Sequence, residues 1–294
     1  MTATPAIGFI GLGLMGQGFT KRLVESGFKV TGYDIVPDKV KAAAAHGVAG
    51  AASPAAVAAA SDIVLVCVTS TDAVQEAVFG AGGIGEAAGM GKVLVDHSTT
   101  EIDATRDYAA QLAKRSGMKW VDAPVSGGPT AALAGTLAIM AGGDSDAIQK
   151  IQPVMTKLAS RFTHMGEVGA GQVTKMINQV LVLTNYCVIA EAIRLGEKCG
   201  VDVAKIPEAL ATGHAGSNLL KDVTPRLVAR DFAPRGFVRQ VLKDLDMVHD
   251  LAKEMKSPTP MVSQAASLYR LMVARGHSEL DACAVMRLYL DDPV

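Results

Sequence analysis

A glycine loop close to the N-terminus limits the possible folds more than any other feature of this sequence. Residues 11–16 read Gly11-Leu12-Gly13-Leu14-Met15-Gly16, which is the pattern G-x-G-x-x-G. The loop follows a short apolar run, Ile7–Ile10, and precedes a stretch with helical spacing, 17–26. A strand, a glycine-rich turn and a helix in this order form the first unit of a dinucleotide-binding Rossmann fold. We therefore predict that all six residues of the loop contact a dinucleotide cofactor.

Each glycine of the loop has a separate physical task in such a fold. Gly11 permits the tight turn, Gly13 lets the backbone approach the pyrophosphate, and Gly16 lets the helix pack closely on the strand. The N-terminus of the following helix then presents free N–H groups to the anion.

Asp34 is the acidic residue expected after such a loop. It ends the predicted strand 29–34, 18 positions after Gly16. Its carboxylate can accept hydrogen bonds from both ribose hydroxyls and would repel a 2′-phosphate, so the sequence favours NAD over NADP. Two alternatives stay open: Asp34 is a solvated residue that caps the next turn, or Lys39 or Lys41 contacts a phosphate.

Four further apolar runs alternate with helical stretches in the first half of the chain. They are residues 63–68, 92–98, 119–125 and 137–143. Residues 63–68, IVLVCV, are an unbroken apolar run, which is typical of a central strand in a parallel sheet, and the other three segments repeat a shorter form of this pattern. The expected fold class is therefore α/β, with an N-terminal Rossmann domain built on a doubly wound parallel sheet.

After about residue 165 the strand pattern stops and helical spacing takes over. Six helical stretches follow, at residues 169–199, 202–211, 217–229, 237–256, 259–275 and 278–290. The expected boundary lies in the glycine-rich segment 164–171. We predict an NAD-binding Rossmann domain over residues 1–165 and an all-α C-terminal domain, for substrate binding and oligomerisation, over residues 166–294.

The composition narrows the class of protein and its partners. The chain has 294 residues, which favours two domains, and a formal net charge of −1, which gives no reason to expect nucleic acid or a membrane as a partner. Its four cysteines form no C-x-x-C pair and the N-terminus lacks the features of a signal peptide, so we expect a cytoplasmic protein. The histidines are scattered, so no metal is expected. His97 is interpreted as a pocket-wall or surface histidine, with catalysis as the less favoured alternative.

Ligands of doubly wound sheets bind beyond the carboxyl ends of the strands. Val68 and Thr69 end one predicted strand, and Ser98 and Thr99 end the next. We predict that Val68, Thr69 and Thr99 contact the cofactor. An alternative for the second pair is a helix N-terminus with a capping box formed by Ser98 and Glu101.

The segment DAPVSGG, residues 122–128, ends with a hydroxyl followed by two glycines. Ser126, Gly127 and Gly128 offer a donor and approachable backbone N–H groups, a combination that suits a carboxylate. On the local pattern alone, a turn before a helix near Thr130 is an equally good interpretation.

Four motifs in a fixed order give the chain a resemblance to a known family. GLGLMG at 11–16, DAPVSGG at 122–128, GAGQVTKMINQ at 169–179 and KDLDM at 243–247 resemble the β-hydroxyacid dehydrogenases, the family of 3-hydroxyisobutyrate dehydrogenase and tartronate semialdehyde reductase. The resemblance covers nearly the whole chain. It implies a Rossmann domain and a helical domain joined by one long helix, with the active site between them. Residues 213–220 match a substrate-pocket region of the family only loosely, which leaves the acid open.

The resemblance also implies roles for individual residues. Lys175 would be the catalytic lysine and Asn178 its neighbour on the substrate, with Gln179 as an alternative amide. Lys243 would also contact the cofactor, because it would lie near the nicotinamide. The implied substrate-binding residues are Ser126, Gly127, Gly128, Lys243 and Asp244.

General chemistry supports a proton-transfer role for Lys175. Oxidation of a hydroxy acid moves a hydride from the carbinol carbon to the nicotinamide and releases the hydroxyl proton, which a base must accept. Burial and a second cation, Lys243, are both expected to lower the pKa of a lysine. Asn178 lies three residues later and shares the helix face. Without the family motifs, a lysine that snorkels at the wet end of a helix is the alternative.

The sequence thus predicts an NAD(P)-dependent oxidoreductase that transfers a hydride between a nicotinamide cofactor and a small 3-hydroxy acid, with Lys175 as general acid/base and no metal. The alternatives are a reductase of an aldehyde acid such as tartronate semialdehyde, an imine reductase-like enzyme, and a non-enzymatic dinucleotide-binding scaffold. Imine reductases usually lack the lysine, and the presence of Ser126 and Lys175 argues against a scaffold. Part of the apolar helix 172–195, together with the C-terminal helices, is expected to pack against another subunit in a homodimer or homotetramer.

Overall fold

The structure is a computed structural model that describes residues 4–291. It divides into two compact units, of which the first ends at Lys175 and the second begins at Met176. The division falls inside one long helix, whereas the sequence pattern changes at about residue 165. Each unit has its own core and is described by itself.

A single mixed sheet forms the centre of the first unit. Within residues 4–291 its strands are β1 (Ile7–Ile10), β2 (Val30–Tyr33), β3 (Ala49–Gly50), β4 (Ile63–Val66), β5 (Val93–Asp96), β6 (Lys119–Asp122), β7 (Val125–Ser126), β8 (Leu137–Gly143) and β9 (Ala159–Gly166). Their order is β3-β2-β1-β4-β5-β6-β8-β7, and β9 pairs with β8. Strands β1 to β6 are parallel, as predicted for a doubly wound sheet.

The far edge of the sheet differs from the prediction. Strand β8 runs antiparallel to both β6 and β7, and β9 extends the edge in parallel with β8. The apolar run 119–125 is therefore not one strand, because the chain breaks between Asp122 and Val125. Strand β9 was not predicted, since most of its residues are exposed and it lacks an apolar pattern.

Helices cover both faces of this sheet. They are α1 (Leu14–Glu25), α2 (Pro37–Ala44), α3 (Pro54–Ala59), α4 (Thr71–Phe79), α5 (Ile102–Ser116), α6 (Gly128–Ala134) and α7 (Ser145–Leu158). Alternate residues of a strand therefore enter different cores. Ile63 and Leu65 belong to one apolar cluster, and Val64 and Val66 belong to the other. Burial on both faces explains why the strands read as unbroken apolar runs.

Helical structure continues from the end of the first unit through the second. The helices are α8 (Ala170–Lys198), α9 (Ile206–Ala209), α10 (Asn218–Ala229), α11 (Val238–Glu254) and α12 (Pro260–Ala274). Two predicted helices differ. The stretch 202–211 splits into a 3-10 turn, Val203–Lys205, and α9, and the stretch 278–290 contains the 3-10 helix Ala282–Tyr289.

Helix α8 has 29 residues and is strongly apolar. Among residues 4–291 it is the one helix whose length and hydropathy would allow it to cross a membrane. Core helices of globular proteins satisfy the same criterion, so this is weak evidence for a membrane span. Along α8 the apolar side chains of Ile177, Leu181, Val188 and Leu195 are exposed.

Candidate active site

The glycine loop has the geometry that the sequence predicts. It joins β1 to α1, and the Gly11 N–H donates to Tyr33 O at 3.0 Å. A Cβ on Gly11 would lie 2.1 Å from Cys67 O, and a Cβ on Gly16 would lie 2.0 Å from Gly11 O. Only glycine fits at either position, because such separations are far below van der Waals contact. By contrast, a Cβ on Gly13 would meet no protein atom within 4 Å.

The N-terminus of α1 is suited to a dinucleotide pyrophosphate. Gly13 is the N-cap residue, no side chain caps the helix, and its first turn carries no acidic residue. The free N–H groups and the helix dipole both favour an anion at this place. Because Gly13 leaves open space there, the loop can take the pyrophosphate of NAD or NADP against its backbone.

Asp34 is largely buried rather than solvated, but it does cap the turn before Pro37, so that alternative is wrong only about solvation. Its side chain is 6% exposed. Its Oδ2 accepts from the Leu12 N–H at 2.8 Å, and its Oδ1 accepts from the Val36 N–H at 2.9 Å. The carboxylate therefore ties the glycine loop to the end of β2. The Lys39 ammonium lies 3.6 Å from Oδ1.

The segment after β5 is organised by a hydrogen bond rather than by a helix cap. Helix α5 begins at Ile102, and its N-cap residue Glu101 has no side-chain cap. The Ser98 hydroxyl instead accepts from the Val68 N–H at 2.9 Å. The capping box was therefore a wrong prediction, because the oxygen it requires joins the ends of β4 and β5. Thr99 is half-buried beside it.

Lys175 is buried near the start of α8. Its residue exposure is 8%, and its Nζ donates to Val125 O at 2.8 Å. Val125 directly precedes Ser126, Gly127 and Gly128. Gly127 and Gly128 have positive φ angles, +131° and +71°, so the turn needs glycine, and α6 begins at Gly128. The structure therefore places the lysine beside the segment predicted to bind a carboxylate, and the alternative of a snorkelling lysine does not hold.

The predicted site residues of the second unit form a polar chain. Asn178 Nδ2 donates to Gln179 Oε1 at 2.8 Å, and Gln179 Nε2 donates to Asp244 Oδ2. The Lys243 ammonium lies 3.0 Å from Asp244 Oδ1. Asn178 also follows Lys175 by one turn of α8. Their predicted contacts with substrate and cofactor stay predictions.

Two buried acids at the strand ends were not predicted as functional residues. Asp96 and Asp122 are register partners at the ends of β5 and β6. Burial, with a smaller contribution from the neighbouring Asp122 carboxylate, raises the pKa of Asp96 to about 7, against the opposing effect of hydrogen bonds from Ser98 and Thr100. Burial also raises the pKa of Asp122 to about 6, against the opposing effect of backbone N–H donors from Gly169 and Gln172. The sequence signal that could have indicated these two residues is that both strands end in aspartate.

We expect Asp96→Asn to stabilise the protein at alkaline pH. Because the folded-state pKa is raised, the folded protein holds this proton more tightly than the unfolded chain. In the wild-type protein, the stabilisation contributed by this Asp96 proton is complete below about pH 4 and is lost as pH rises to about 7. Asparagine keeps an acceptor for the Ser98 N–H and can donate to the Thr100 hydroxyl. The free energy of unfolding at pH 8 should rise by about 1–3 kcal/mol. Denaturant unfolding at pH 5 and pH 8 measures this; a variant less stable than wild type at pH 8 would contradict it.

His97 lies in the core, neither on the surface nor in a position that suggests proton transfer. Its Nδ1 hydrogen-bonds with Ala123 O at 2.7 Å, and its ring stacks on Phe19 with centroids 4.9 Å apart. Burial lowers the pKa of His97 to about 4. The ring is therefore neutral at physiological pH. Among residues 4–291 no group of three or more His, Cys, Asp or Glu side chains is arranged to hold a metal ion.

Comparison with known proteins identifies the family of both halves. Residues 6–166 match the family described as the NAD-binding domain of 6-phosphogluconate dehydrogenase. Residues 169–289 match the family described as NAD-binding of NADP-dependent 3-hydroxyisobutyrate dehydrogenase. Together these matches support a nicotinamide cofactor.

Full-length relatives agree with this assignment. The chain is 34% identical to 2-hydroxy-3-oxopropionate reductase of Escherichia coli, over 96% of each protein. It is also 34% identical to 2-(hydroxymethyl)glutarate dehydrogenase of Eubacterium barkeri, over 96% of this chain and 94% of the relative. The Mycobacterium tuberculosis 3-hydroxyisobutyrate dehydrogenase structure with L-serine has a TM-score of 0.83 and 30% identity, over 97% of this chain and 99% of that one. The chain therefore belongs to the β-hydroxyacid dehydrogenases, enzymes that transfer a hydride between a nicotinamide cofactor and the CH–OH group of a hydroxy acid.

Proposed function

We propose that this chain oxidises a small 3-hydroxy acid with NAD, and that Lys175 is its general acid/base. The observation that carries this proposal is the position of the Lys175 ammonium. It is buried and donates at 2.8 Å to Val125 O, the carbonyl directly before Ser126. The lysine proposed for proton transfer therefore lies next to the turn proposed to bind the carboxylate, and both belong to the first unit. The choice of a 3-hydroxy acid rests on the similarity to 3-hydroxyisobutyrate dehydrogenases.

The chemistry follows from this juxtaposition. The Ser126 hydroxyl and the backbone N–H groups of Gly127 and Gly128 bind the substrate carboxylate. The neutral Lys175 amine accepts the hydroxyl proton during oxidation and becomes an ammonium, which returns the proton during reduction. Asn178, one turn later on α8, orients the hydroxyl. The bound nicotinamide supplies the hydride acceptor at its C4 carbon.

NAD is the proposed cofactor because of Asp34. Its carboxylate is buried directly after β2, the place where an acidic residue of such folds accepts from the ribose hydroxyls, and there it would repel a 2′-phosphate. The glycine loop, Val68, Thr69 and Thr99 are proposed to make the other cofactor contacts. Lys39 would favour NADP instead, because its ammonium lies near Asp34 and could contact the 2′-phosphate.

A spectrophotometric screen at 340 nm tests this function. We expect turnover with 3-hydroxy acids such as 3-hydroxyisobutyrate, L-serine and 2-(hydroxymethyl)glutarate, and none with lactate, whose hydroxyl is one carbon closer to the carboxylate. NAD should give a kcat/KM at least about tenfold above that with NADP, because an unfavourable phosphate contact costs more than about 1.4 kcal/mol. Asp34→Ala should reduce that preference. A preference for NADP, or turnover restricted to 2-hydroxy acids, would contradict the proposal.

Reduction of an aldehyde acid is the second candidate, favoured by the similarity to the Escherichia coli 2-hydroxy-3-oxopropionate reductase. The same residues serve both directions, since a lysine that accepts a proton during oxidation supplies it during reduction. Assay of tartronate semialdehyde with NADH, beside the oxidation panel, separates the two. The higher kcat/KM at neutral pH identifies the preferred direction.

We also propose that α8 packs against a second copy of the chain and that the protein is cytoplasmic. Exposed apolar side chains recur along α8 at Ile177, Leu181, Val188 and Leu195, a spacing that forms a stripe on one helix face. Such a stripe is costly to leave in water. Light scattering at micromolar concentration should show a dimer or tetramer; a monomer would contradict this expectation.

A further inference from the structure

The N-terminus of α8 is held by a side chain that lies far away in sequence. Asp122 ends β6, and its Oδ1 accepts from the Gly169 N–H at 2.7 Å while its Oδ2 accepts from the Gln172 N–H at 2.9 Å. The first N–H groups of a helix have no acceptor inside the helix. Asp122 therefore acts as a helix cap from a neighbouring strand, with a negative charge at the positive end of the helix dipole.

A second side chain holds the same turn of the helix. Gln172 is fully buried, its Nε2 donates to Ser98 O at 2.8 Å, and its Oε1 accepts from the Thr100 N–H at 3.2 Å. Both the nitrogen and the oxygen of the amide thus hydrogen-bond with the backbone of the segment after β5. That segment contains Thr99, a predicted cofactor contact. We name Asp122 and Gln172 the α8 clamp.

The backbone leaves little room for this turn to move. A Cβ on Gly171 would lie 2.5 Å from Met140 O and 2.6 Å from Asp122 O. A Cβ on Gly142 would lie 2.7 Å from Asp122 Oδ1 and 2.8 Å from Gly171 N. The helix start and the strand ends are therefore in direct backbone contact. Small changes at the clamp cannot be absorbed by loose packing.

We infer that the α8 clamp positions Lys175 for proton transfer; this inference rests on the proposed function. Lys175 follows Gln172 by three residues and so lies on the same helix face. Its acceptor, Val125 O, follows Asp122 by three residues in the chain. The clamp thus fixes both the helix that carries the ammonium and the segment that the ammonium contacts. Asp122 and Gln172 touch neither substrate nor cofactor in this scheme and are positioning residues.

Gln172→Glu gives the sharpest test. Glutamate keeps the acceptor for the Thr100 N–H, but an ionised carboxylate would face Ser98 O, and only the protonated acid can donate there. Burial favours the protonated form. At low pH the glutamic acid can therefore donate to Ser98 O as Gln172 does, whereas at high pH the carboxylate cannot. The titratable groups around it are Asp96 and Asp122 at the strand ends, Lys175 on α8, and Arg106 of α5, which approaches Gly169.

The expected result is a loss of kcat of about 10–100-fold at pH 8, because a misplacement of about 1 Å can cost this much. The loss should shrink as pH falls toward 6. The kcat of wild type in the oxidation direction should instead fall as pH falls, since its base must be deprotonated. KM for NAD and the Kd for NADH should change much less than kcat, even though Thr99 lies on the segment that Gln172 contacts. Gln152→Glu, on the exposed surface of α7, adds the same charge and should leave kcat unchanged at every pH.

Gln172→Met is the companion variant, because it keeps the side-chain length and removes both hydrogen bonds without a charge. It should lower kcat by about tenfold or more at all pH values, with no new pH dependence. If Gln172→Glu does not fold, Gln172→Met alone decides the question.

Two outcomes would overturn the inference. One is wild-type kcat at pH 8 in a folded clamp variant. The other is a loss of kcat matched by equal losses of NADH affinity and thermal stability at every pH, which indicates a purely structural role. Lys175→Ala, assayed beside these variants, distinguishes a failure of the proposed function from a failure of the positioning role. An active Lys175→Ala enzyme refutes the proposed function, whereas an inactive one beside an unimpaired Gln172→Glu enzyme refutes only the positioning role.

Discussion

Lys175→Ala is expected to lower kcat by about 10³-fold or more while the Kd for NADH stays close to wild type. The Lys175 side chain is buried with its Nζ 2.8 Å from Val125 O, so its removal takes away the amine that would accept the proton in its neutral form, without touching the glycine loop. The dinucleotide site around residues 11–16 and Asp34 has its own hydrogen bonds, which do not involve α8. Stopped-flow or steady-state assays at 340 nm and NADH fluorescence titration measure the two quantities.

Two further lysine variants make the result specific. Lys175→Met keeps most of the side-chain volume, so an equal loss of kcat would exclude a cavity as the cause. Lys175→Arg keeps the charge but cannot give up its proton at neutral pH, so it should also be inactive. Lys114→Ala, an exposed position on α5, is the matched control and should behave as wild type. A Lys175→Ala enzyme with near wild-type kcat would contradict the mechanism.

Gly13→Ala is expected to weaken NAD binding about 10–100-fold without lowering the thermal stability of the free protein. Gly13 has φ −73°, which alanine adopts without strain, and its Cβ would meet no protein atom within 4 Å. The new methyl group therefore occupies only the space that the pyrophosphate needs. KM for NAD and the Kd for NADH should rise together, with kcat at saturating cofactor affected less.

Gly16→Ala is the matched contrast within the same loop. Its Cβ would lie 2.0 Å from Gly11 O, so this substitution should destabilise the fold itself by more than about 2 kcal/mol. A thermal melt of both variants without cofactor distinguishes them. If Gly13→Ala melts as low as Gly16→Ala, or binds NADH like wild type, the assignment of residue 13 to the pyrophosphate is wrong.

The features that could be predicted from the sequence depend on local pattern. The strand, glycine loop and helix around residues 7–25 follow one another in the chain, and the burial of both sheet faces appears as unbroken apolar runs. Lys175 and Asn178 share one helix face because their spacing alone determines it. The family motifs added the expected roles of Lys243 and Asp244, and they favoured a carboxylate site over a simple turn at Ser126.

The features that were missed depend on contacts between distant residues. Asp122 reaches Gly169 across 47 positions and Gln172 reaches Ser98 across 74, so no local pattern signals the α8 clamp. The same reason explains the wrong capping box, since the partner of the Ser98 hydroxyl is an N–H group 30 positions away. The antiparallel edge of the sheet was missed because β7 has only two residues and β9 is largely exposed.

The position of the Lys175 amine in a ternary complex is the most direct test of the proposed mechanism. Crystals grown with NADH and a 3-hydroxy acid would trap a dead-end complex, since a reduced cofactor cannot accept a hydride from an alcohol. We predict that Lys175 Nζ lies within about 3.2 Å of the substrate hydroxyl oxygen, with the carboxylate on Ser126, Gly127 and Gly128. A bound acid whose hydroxyl contacts another titratable group, with the lysine amine directed away from it, would contradict the account.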